Sequence, residues 1–294
     1  CYGGTAAHQT ALAFVHSEVS PGSKSLVIRT DAARPIPHTY AEPSQGAAAV
    51  ALLIGDEPRV LEIEKGRSGC YGFEVMDSCR PTSEIETGDA DLSLLTYLEC
   101  IENSFKAYQK KVPEAQFAAF FDYLAFHTPF GGMVKGAHRT MMRKFERVPP
   151  AAVEEDYRRR LEPSLLYCAR GGNVYSGTIF IALAGVLETG TFDDRVKRIG
   201  LFSYGSGCCS EFYSGLTTPD SKRAARGAEL TRQLDTRHRL TMNEYDRLLA
   251  LQRNLPFGLR DGEPEGADFS RHVEGSGLLV LHKVRDYHRE YRWS

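Results

Sequence analysis

The first residue of the chain is a cysteine in a setting that would activate a thiol. Apolar residues recur at helical spacing from Ala7 to Val15, which predicts a helix over residues 3–18 that begins just after Cys1. The positive end of the helix dipole favours the thiolate, which is the reactive form of cysteine. Gly3 and Gly4 would let a substrate approach the backbone. The pattern indicates covalent catalysis by Cys1, and an inert buried cysteine is the alternative.

A histidine stands at the end of a predicted strand. Residues 120–126 are rich in aromatic side chains, and Pro129 pushes Thr128 into an extended conformation that ends the strand. In α/β sheets the strand ends face the ligand crevice, which makes His127 a candidate functional group. A structural histidine is the alternative when this residue is taken alone.

Two glycine-rich turns follow, and each could present a hydrogen-bond donor. Residues 171–173 include Asn173, whose amide could point at a carbonyl oxygen or simply cap the next helix. Residues 203–207 lie between two predicted strands, where the backbone could supply one half of an oxyanion hole or form a hairpin turn. Their spacing does not match the GxSxG elbow of serine hydrolases.

The composition describes the protein that must position these groups. The chain has 294 residues, of which 42% are hydrophobic and 25% charged, as in ordinary globular domains. Its net charge of −2 offers no basic field for nucleic acid, and no apolar run approaches the roughly 20 residues of a membrane helix. Seven cysteines without a CxxC pair indicate free thiols in a reducing compartment, and we expect a cytoplasmic protein without a metal site.

The predicted elements alternate between strands and helices, which indicates an α/β fold built in layers. Strands are predicted over residues 26–28, 46–54, 60–64, 120–126, 199–202, 208–213 and 278–284, and further helices over residues 92–108, 132–145, 153–168, 175–187 and 241–254. Residues 60–64 alternate in a way that predicts pairing with residues 46–54. Residues 66–90 are rich in glycine, proline and charge, which predicts a surface excursion.

Taken together and in this order, the four segments resemble the 3-hydroxy-3-methylglutaryl-CoA synthase family of the thiolase superfamily. The matching motifs are residues 1–6 for the nucleophile, 126–130 for the histidine, 172–175 for the asparagine and 202–207 for the glycine loop. The resemblance implies a thiolase-like layered fold with helices around two mixed sheets. Residues 1–64 would end its amino-terminal half, and residues 65–294 would form its carboxyl-terminal half.

Further details resemble the branch of this family that inserts β-methyl branches during polyketide biosynthesis and works on acyl carrier proteins. The resembling pieces are Arg80-Pro81, residues 88–94 and residues 287–291. CoA-dependent members commonly carry a lysine five residues after the histidine, but Gly132 occupies that position here, and the nearest lysine is Lys135. This difference favours a carrier protein as the acetyl donor.

The resemblance also implies a mechanism and a set of site residues. Cys1 would take an acetyl group from a thioester, and the N–H groups of Cys1 and Ser206 would hold the acetyl oxygen. His127 and Asn173 would hold the carbonyl oxygen of a β-ketoacyl thioester as the acetyl carbanion attacks it. The remaining residues expected at the oxyanion hole or along the substrate are Gly207, Tyr2, Tyr204, Asp31 and Arg80.

The implied partners are acyl carrier proteins with phosphopantetheine arms and a second copy of the chain in a homodimer. No cofactor is implied, and neither is binding to nucleic acid or a membrane. The family has a catalytic glutamate upstream of the nucleophile, together with the first elements of the fold. We therefore expect a preceding segment to supply the general base.

Three other functions remain open at this point. The first is a hydroxymethylglutaryl-CoA synthase that uses acetyl-CoA and acetoacetyl-CoA. The second is an N-terminal-cysteine amidohydrolase, in which the α-amino group of Cys1 would act as the base. The third is a thiolase-like protein that only binds carriers, although Cys1, His127 and Asn173 argue against it.

Overall fold

All four candidate segments lie in the first of two units of the computed structural model. The units are Cys1–Leu234 and Asp235–Ser294. The structure describes residues 1–33, 36–82, 86–192, 195–253, 258–264 and 272–294. The boundary expected after residue 64 concerns the two halves of the thiolase-like fold and stays a prediction.

A four-stranded mixed sheet organises the first unit. Its strands are β3 (Glu62–Gly72), β6 (Tyr123–Phe126), β7 (Arg198–Gly205) and β8 (Cys209–Leu216). Their order is β3-β8-β7-β6, with β6 parallel to β7 and the other neighbours antiparallel. The short hairpin turn between β7 and β8 therefore lies beside the carboxyl end of β6.

A second sheet is formed by β1 (Ser25–Ala32) and β2 (Ala47–Ile54), which pair antiparallel along their whole length. The predicted pairing of residues 60–64 with residues 46–54 is wrong, because β3 instead pairs with β8. Alternation shows which strand has a half-buried face, but it does not identify the strand's partner.

The expected surface excursion over residues 66–90 is also wrong in its first half. Residues 66–72 continue β3 in the main sheet, and Asp77 is fully buried. The glycines that suggested a loop have a packing role. A Cβ atom at Gly69 would lie 2.1 Å from the backbone nitrogen of Tyr108, so glycine is required where the next helix crosses the strand. Beyond it, β4 (Ser78–Cys79) and β5 (Thr87–Gly88) form a small antiparallel pair.

The helices cover the sheets and enclose the core. They are α1 (Gly3–Val15), α2 (Ala90–Lys111), α3 (Gly131–Phe145) and α6 (Thr178–Thr189). Asp89 caps α2 by accepting a hydrogen bond from the Leu92 N–H at 2.9 Å, so this helix begins at Ala90 rather than at the predicted residue 92. Between α2, α3 and the main sheet, aromatic side chains such as Phe105 and Phe212 are fully buried.

The single helix predicted over residues 153–168 is wrong. The segment consists of α4 (Pro150–Asp156), a π-turn at Tyr157–Leu161, a 3₁₀ turn at Glu162–Ser164 and α5 (Leu165–Gly171). Pro163 has no N–H group with which to continue an α-helix. Arg160 adds a second constraint, because its buried guanidinium pairs with Asp156 at 2.7 Å and donates to the carbonyl oxygen of Phe117 at 2.9 Å.

The remaining elements are α7 (Ser221–Arg226), α8 (Leu230–Asp235), α9 (Met242–Arg253) and the hairpin of β9 (Leu279–Arg285) with β10 (His288–Trp293). The helix predicted over residues 241–254 is confirmed as α9, and a capping box starts it, since the Thr241 N–H donates to Glu244 at 2.8 Å. Asn254, the predicted last residue of that helix, lies outside the described residues. Among the described residues, no helix has both the length and the apolarity needed to cross a bilayer.

Candidate active site

Cys1 lies at the amino-terminal end of α1, as predicted. The carbonyl oxygen of Tyr2 accepts hydrogen bonds from the N–H groups of Thr5 and Ala6 at 2.8 and 3.0 Å, so the helix begins directly after the cysteine. Cys1 is half-buried, and its thiol is free. The amino-terminal end of a helix carries partial positive charge, which favours a thiolate at this place.

Tyr2 fixes the first turn of α1 to the main sheet. Its hydroxyl donates to Glu211 Oε2 in β8 at 3.0 Å, and Gln9 donates to the other oxygen of the same carboxylate at 2.8 Å. Burial and the adjacent Glu211 raise the pKa of Tyr2, so its hydroxyl keeps its proton and remains a donor. Tyr2 thus anchors the turn that follows the nucleophile.

The end of β7 approaches the nucleophile closely. A Cβ atom at Gly205 would lie 2.5 Å from the nitrogen of Tyr2 and 3.0 Å from that of Cys1, so only glycine fits between them. The hydroxyl of Thr5 donates to Ser203 Oγ at 2.8 Å and joins α1 to the same strand. Ser206, the next residue in the hairpin turn, is therefore close to Cys1 and exposed.

The buried carboxylate of Asp77 holds the turn between β7 and β8 in place. Asp77 accepts a short hydrogen bond from the Tyr204 hydroxyl and a second from the Gly207 N–H at 2.9 Å. Gly207 is expected at the oxyanion hole or along the substrate, but its backbone N–H is already bonded to Asp77. Burial and this carboxylate raise the pKa of Tyr204. Sequence analysis missed Asp77, because a single acid in a glycine- and proline-rich segment follows no recognisable pattern.

His127 lies at the carboxyl end of β6 with 2% of its surface exposed. The backbone N–H of His127 donates to the carbonyl oxygen of Phe202 at 2.8 Å, and the backbone carbonyl oxygen of His127 accepts from the Tyr97 hydroxyl at 2.7 Å. The imidazole lies 6.4 Å from the ring of Tyr204, measured between centroids. Burial lowers the pKa of His127 to about 3. The imidazole is therefore neutral at pH 7.

The pKa of His127 predicts a specific dependence of stability on pH. Its folded-state value of about 3 lies below the usual 6.5, so protonation favours the unfolded chain. This contribution to stability is complete above pH 6.5 and is lost as the pH falls towards 3. Between pH 7 and pH 5 the wild type should lose about 2 kcal/mol relative to His127→Asn, which cannot titrate there. Urea unfolding of both proteins measures the difference, and parallel pH dependences would contradict the low pKa.

Asn173 is held against the segment that leads into β2. Its N–H donates to the carbonyl oxygen of Ser44 at 2.7 Å, and its own carbonyl oxygen accepts from the Gly46 N–H at 3.0 Å. The side chain is buried, with 8% of the residue exposed. This turn also touches the nucleophile helix, because a Cβ atom at Gly4 would lie 2.6 Å from the carbonyl oxygen of Ser176. The fold therefore brings the asparagine turn and the Cys1 segment together.

Arg80 belongs to an ion-pair cluster beside the asparagine turn. Its guanidinium binds Glu86 at 2.9 Å and lies 5.8 Å from the ring of Tyr175. The hydroxyl of Tyr175 donates to the same Glu86 at 2.8 Å. Asp31, near the end of β1, lies within electrostatic reach of the Arg80 guanidinium. Sequence analysis missed Glu86 and Tyr175 as partners of Arg80.

Within the described residues, side chains that could hold a metal ion come together at one place. They are His238, Glu244 and His272 in the second unit, and their ligand atoms lie within 4.8 Å of one another. This group belongs to a different unit from Cys1, His127 and Asn173.

A cysteine at the start of a helix and a buried, neutral histidine at the end of a strand in a mixed sheet are the groups expected in a thiolase-like acyltransferase. Within that class, the chain belongs to the hydroxymethylglutaryl-coenzyme A synthase family. The sequence model of this family's C-terminal region matches residues 61–148 and 139–291. The predicted family and the thiolase-like α/β fold are thus confirmed, and the amidohydrolase alternative is set aside.

Individual relatives are similar to this chain over most or all of its length. The polyketide biosynthesis 3-hydroxy-3-methylglutaryl-ACP synthase PksG of Bacillus subtilis is 47% identical over 309 residues, covering 100% of this chain and 73% of PksG. The crystal structure of the curacin HMG synthase with holo donor-ACP superposes with a TM-score of 0.96 at 47% identity, covering 100% of this chain and 73% of that one. The hydroxymethylglutaryl-CoA synthase of Enterococcus faecalis is 34% identical, covering 85% of this chain and 63% of that enzyme.

Proposed function

We propose that the protein condenses an acetyl group from acetyl-ACP with a β-ketoacyl-ACP to form a 3-hydroxy-3-methylglutaryl-type thioester during polyketide β-branching. The observation that carries this proposal is the position of Cys1. It stands at the start of α1, where a Cβ atom at Gly205 would lie 3.0 Å from its backbone nitrogen, and the buried His127 lies at the end of the strand next to the one that carries Gly205. Two relatives with 47% identity support the carrier protein as substrate. One is named an HMG-ACP synthase, and the other was crystallised with its donor-ACP.

In the first stage, the Cys1 thiolate attacks the acetyl thioester and expels the thiol of the phosphopantetheine arm. The oxygen of the tetrahedral intermediate and of the later enolate would be bound by the backbone N–H groups of Cys1 and Ser206. The Gly207 N–H is held by Asp77, so its part is to fix the shape of the turn. The Tyr204 hydroxyl donates to the same carboxylate and so helps to hold Asp77 in place.

In the second stage, a general base removes a proton from the acetyl methyl group, and the carbanion attacks the β-ketone of the acceptor. In the family this base is a glutamate upstream of the nucleophile. His127 is neutral and Asn173 is an amide, so both can donate a hydrogen bond to the ketone oxygen as it becomes negative. Water then hydrolyses the thioester at Cys1 and releases the product on its carrier.

Two basic groups bear on the choice of donor. Lys135, the lysine nearest to the position that CoA-dependent members use, is paired with Glu154 at 2.9 Å. Gly132 at that position is exposed in the first turn of α3 and carries no charge. Arg80 is paired with Glu86, and we propose that it exchanges this partner for a carboxylate or phosphate of the substrate. These contacts favour acetyl-ACP over acetyl-CoA.

Donor preference tests this assignment directly. With the longest natural form of the protein, we expect kcat/KM for acetyl-ACP to exceed that for acetyl-CoA by at least about tenfold, which requires only about 1.4 kcal/mol of differential transition-state binding. Gly132→Lys should raise the use of acetyl-CoA, whereas Gly136→Lys adds the same charge one turn along α3 as a matched control. Equal or better use of acetyl-CoA by the wild type would favour the CoA-dependent alternative instead.

We further propose a homodimer in the cytoplasm. All seven cysteines are free, which fits a reducing compartment. A single-chain mass by light scattering would contradict the dimer, and recovery outside the cytoplasmic fraction would contradict the location.

A further inference from the structure

The side-chain oxygen of Asn173 is fully occupied by two donors. Its Oδ1 atom accepts from the Tyr175 N–H at 2.9 Å and from the Thr178 hydroxyl at 3.1 Å. A carbonyl oxygen has two lone pairs, so both acceptor positions are filled. Because the Tyr175 N–H can only donate, the oxygen of the amide must face the turn. The NH₂ group is thereby directed to the opposite side.

Thr178 has only one way to orient its hydroxyl. Its Oγ1 accepts from the Val174 N–H at 3.0 Å, so its single proton is directed to Asn173 Oδ1. Thr178 is fully buried at the first position of α6, where solvent cannot replace the hydroxyl. The bond is therefore the direct link between α6 and the side chain of Asn173.

The backbone of Asn173 is held by a separate set of contacts. It bonds with Ser44 and Gly46, and the following Tyr175 has a positive φ of 51° and is tied to Glu86 through its hydroxyl. None of these contacts passes through Thr178. Loss of the Thr178 hydroxyl would leave these contacts in place, remove the acceptor of the Val174 N–H, and leave the Asn173 oxygen with the Tyr175 N–H as its remaining donor.

We propose that Thr178 is a positioning residue that orients the Asn173 amide so that its NH₂ group donates to the acceptor ketone. This inference rests on the proposed function, in which Asn173 binds that ketone during condensation. Misplacement of a catalytic group by 1 Å can cost about 10²-fold in rate, and an amide held by the Tyr175 N–H alone is correctly placed for part of the time. We therefore expect Thr178→Val to slow condensation by about tenfold.

Single-turnover measurements separate the two half-reactions. Thr178→Val should accept an acetyl group on Cys1 at the wild-type rate and then condense it slowly, whereas Thr178→Ser, which keeps the hydroxyl, should restore condensation. Thr189→Val on the same helix is a matched control, since its hydroxyl donates to the carbonyl oxygens of Gly185 and Pro163 and its loss leaves the Asn173 amide untouched. Equal slowing of both half-reactions, or no slowing at all, would overturn the inference.

A double-mutant cycle provides a readout that a merely structural role would not change. In an Asn173→Ala background the hydroxyl has no amide to orient, so Thr178→Val should cost nothing further. Additive losses would contradict the positioning role. The wild-type arm distinguishes the two proposals, because failure of the wild type to form an acetyl-enzyme or product contradicts the proposed function. An active wild type with an unimpaired Thr178→Val variant contradicts only the role of Thr178.

Discussion

Replacement of Cys1 by serine is expected to reduce product formation by at least about three orders of magnitude. The proposed reaction begins with a covalent acetyl-enzyme, and only an ionised side chain attacks the thioester efficiently. Placement at the start of α1 stabilises an anion by no more than about 2 kcal/mol. That is enough to favour a thiolate but far too little to ionise a serine hydroxyl. Steady-state formation of the branched thioester from acetyl-ACP and a β-ketoacyl-ACP measures the effect.

A matched variant controls for the loss of any thiol. Cys70 is a free cysteine in β3, and partial desolvation together with the nearby Glu211 raises the pKa of its thiol, which makes it a poorer nucleophile. Cys70→Ser should turn over at the wild-type rate. Retention of wild-type turnover by Cys1→Ser would refute the covalent mechanism.

Replacement of Asn173 by alanine is expected to slow condensation by about two to three orders of magnitude. One donor to a developing oxyanion typically contributes about 3–4 kcal/mol to the barrier. The amide of Asn173 is pre-oriented, since its oxygen is bound by Tyr175 and Thr178. Acetylation of Cys1 precedes this step and should be unchanged. Rapid-quench measurement of both half-reactions tests the prediction.

Asn103 offers the control for Asn173→Ala. Its amide lies on the exposed side of α2 and donates to the carbonyl oxygen of Glu99 at 3.0 Å. Asn103→Ala should leave both half-reactions unchanged. If Asn173→Ala instead slowed acetylation as much as condensation, the proposed contact with the acceptor ketone would be wrong.

Elements with local signals could be predicted from the sequence. The helix after Cys1, the Asp89 cap of α2 and the capping box of α9 all depend on residues within one or two turns of each other. The errors arise where distant contacts decide the outcome. Gly69 suggests a loop in the sequence, but in the structure α2 packs closely on it. The residues around Arg160 follow a helical pattern, but a buried ion pair and Pro163 divide the segment.

The same distinction holds for the candidate site. Cys1, His127 and Asn173 carry recognisable chemistry in recognisable local settings, and their roles stay predictions for the measurements above. Asp77 and Thr178 could not be found in this way. Each is an ordinary residue whose importance comes from its contacts with distant or buried groups, Tyr204 and Gly207 in the first case and the Asn173 amide in the second. Such contacts become visible only in three dimensions.

The most direct test of the proposed function is the intact mass of the longest natural form of the protein after exposure to acetyl-ACP. We predict the gain of a single acetyl group, located at Cys1 by peptide mapping, faster than from acetyl-CoA and absent in Cys1→Ser. Absence of acetyl gain from both donors, or an acetyl group on a residue other than Cys1, would contradict the thioester mechanism.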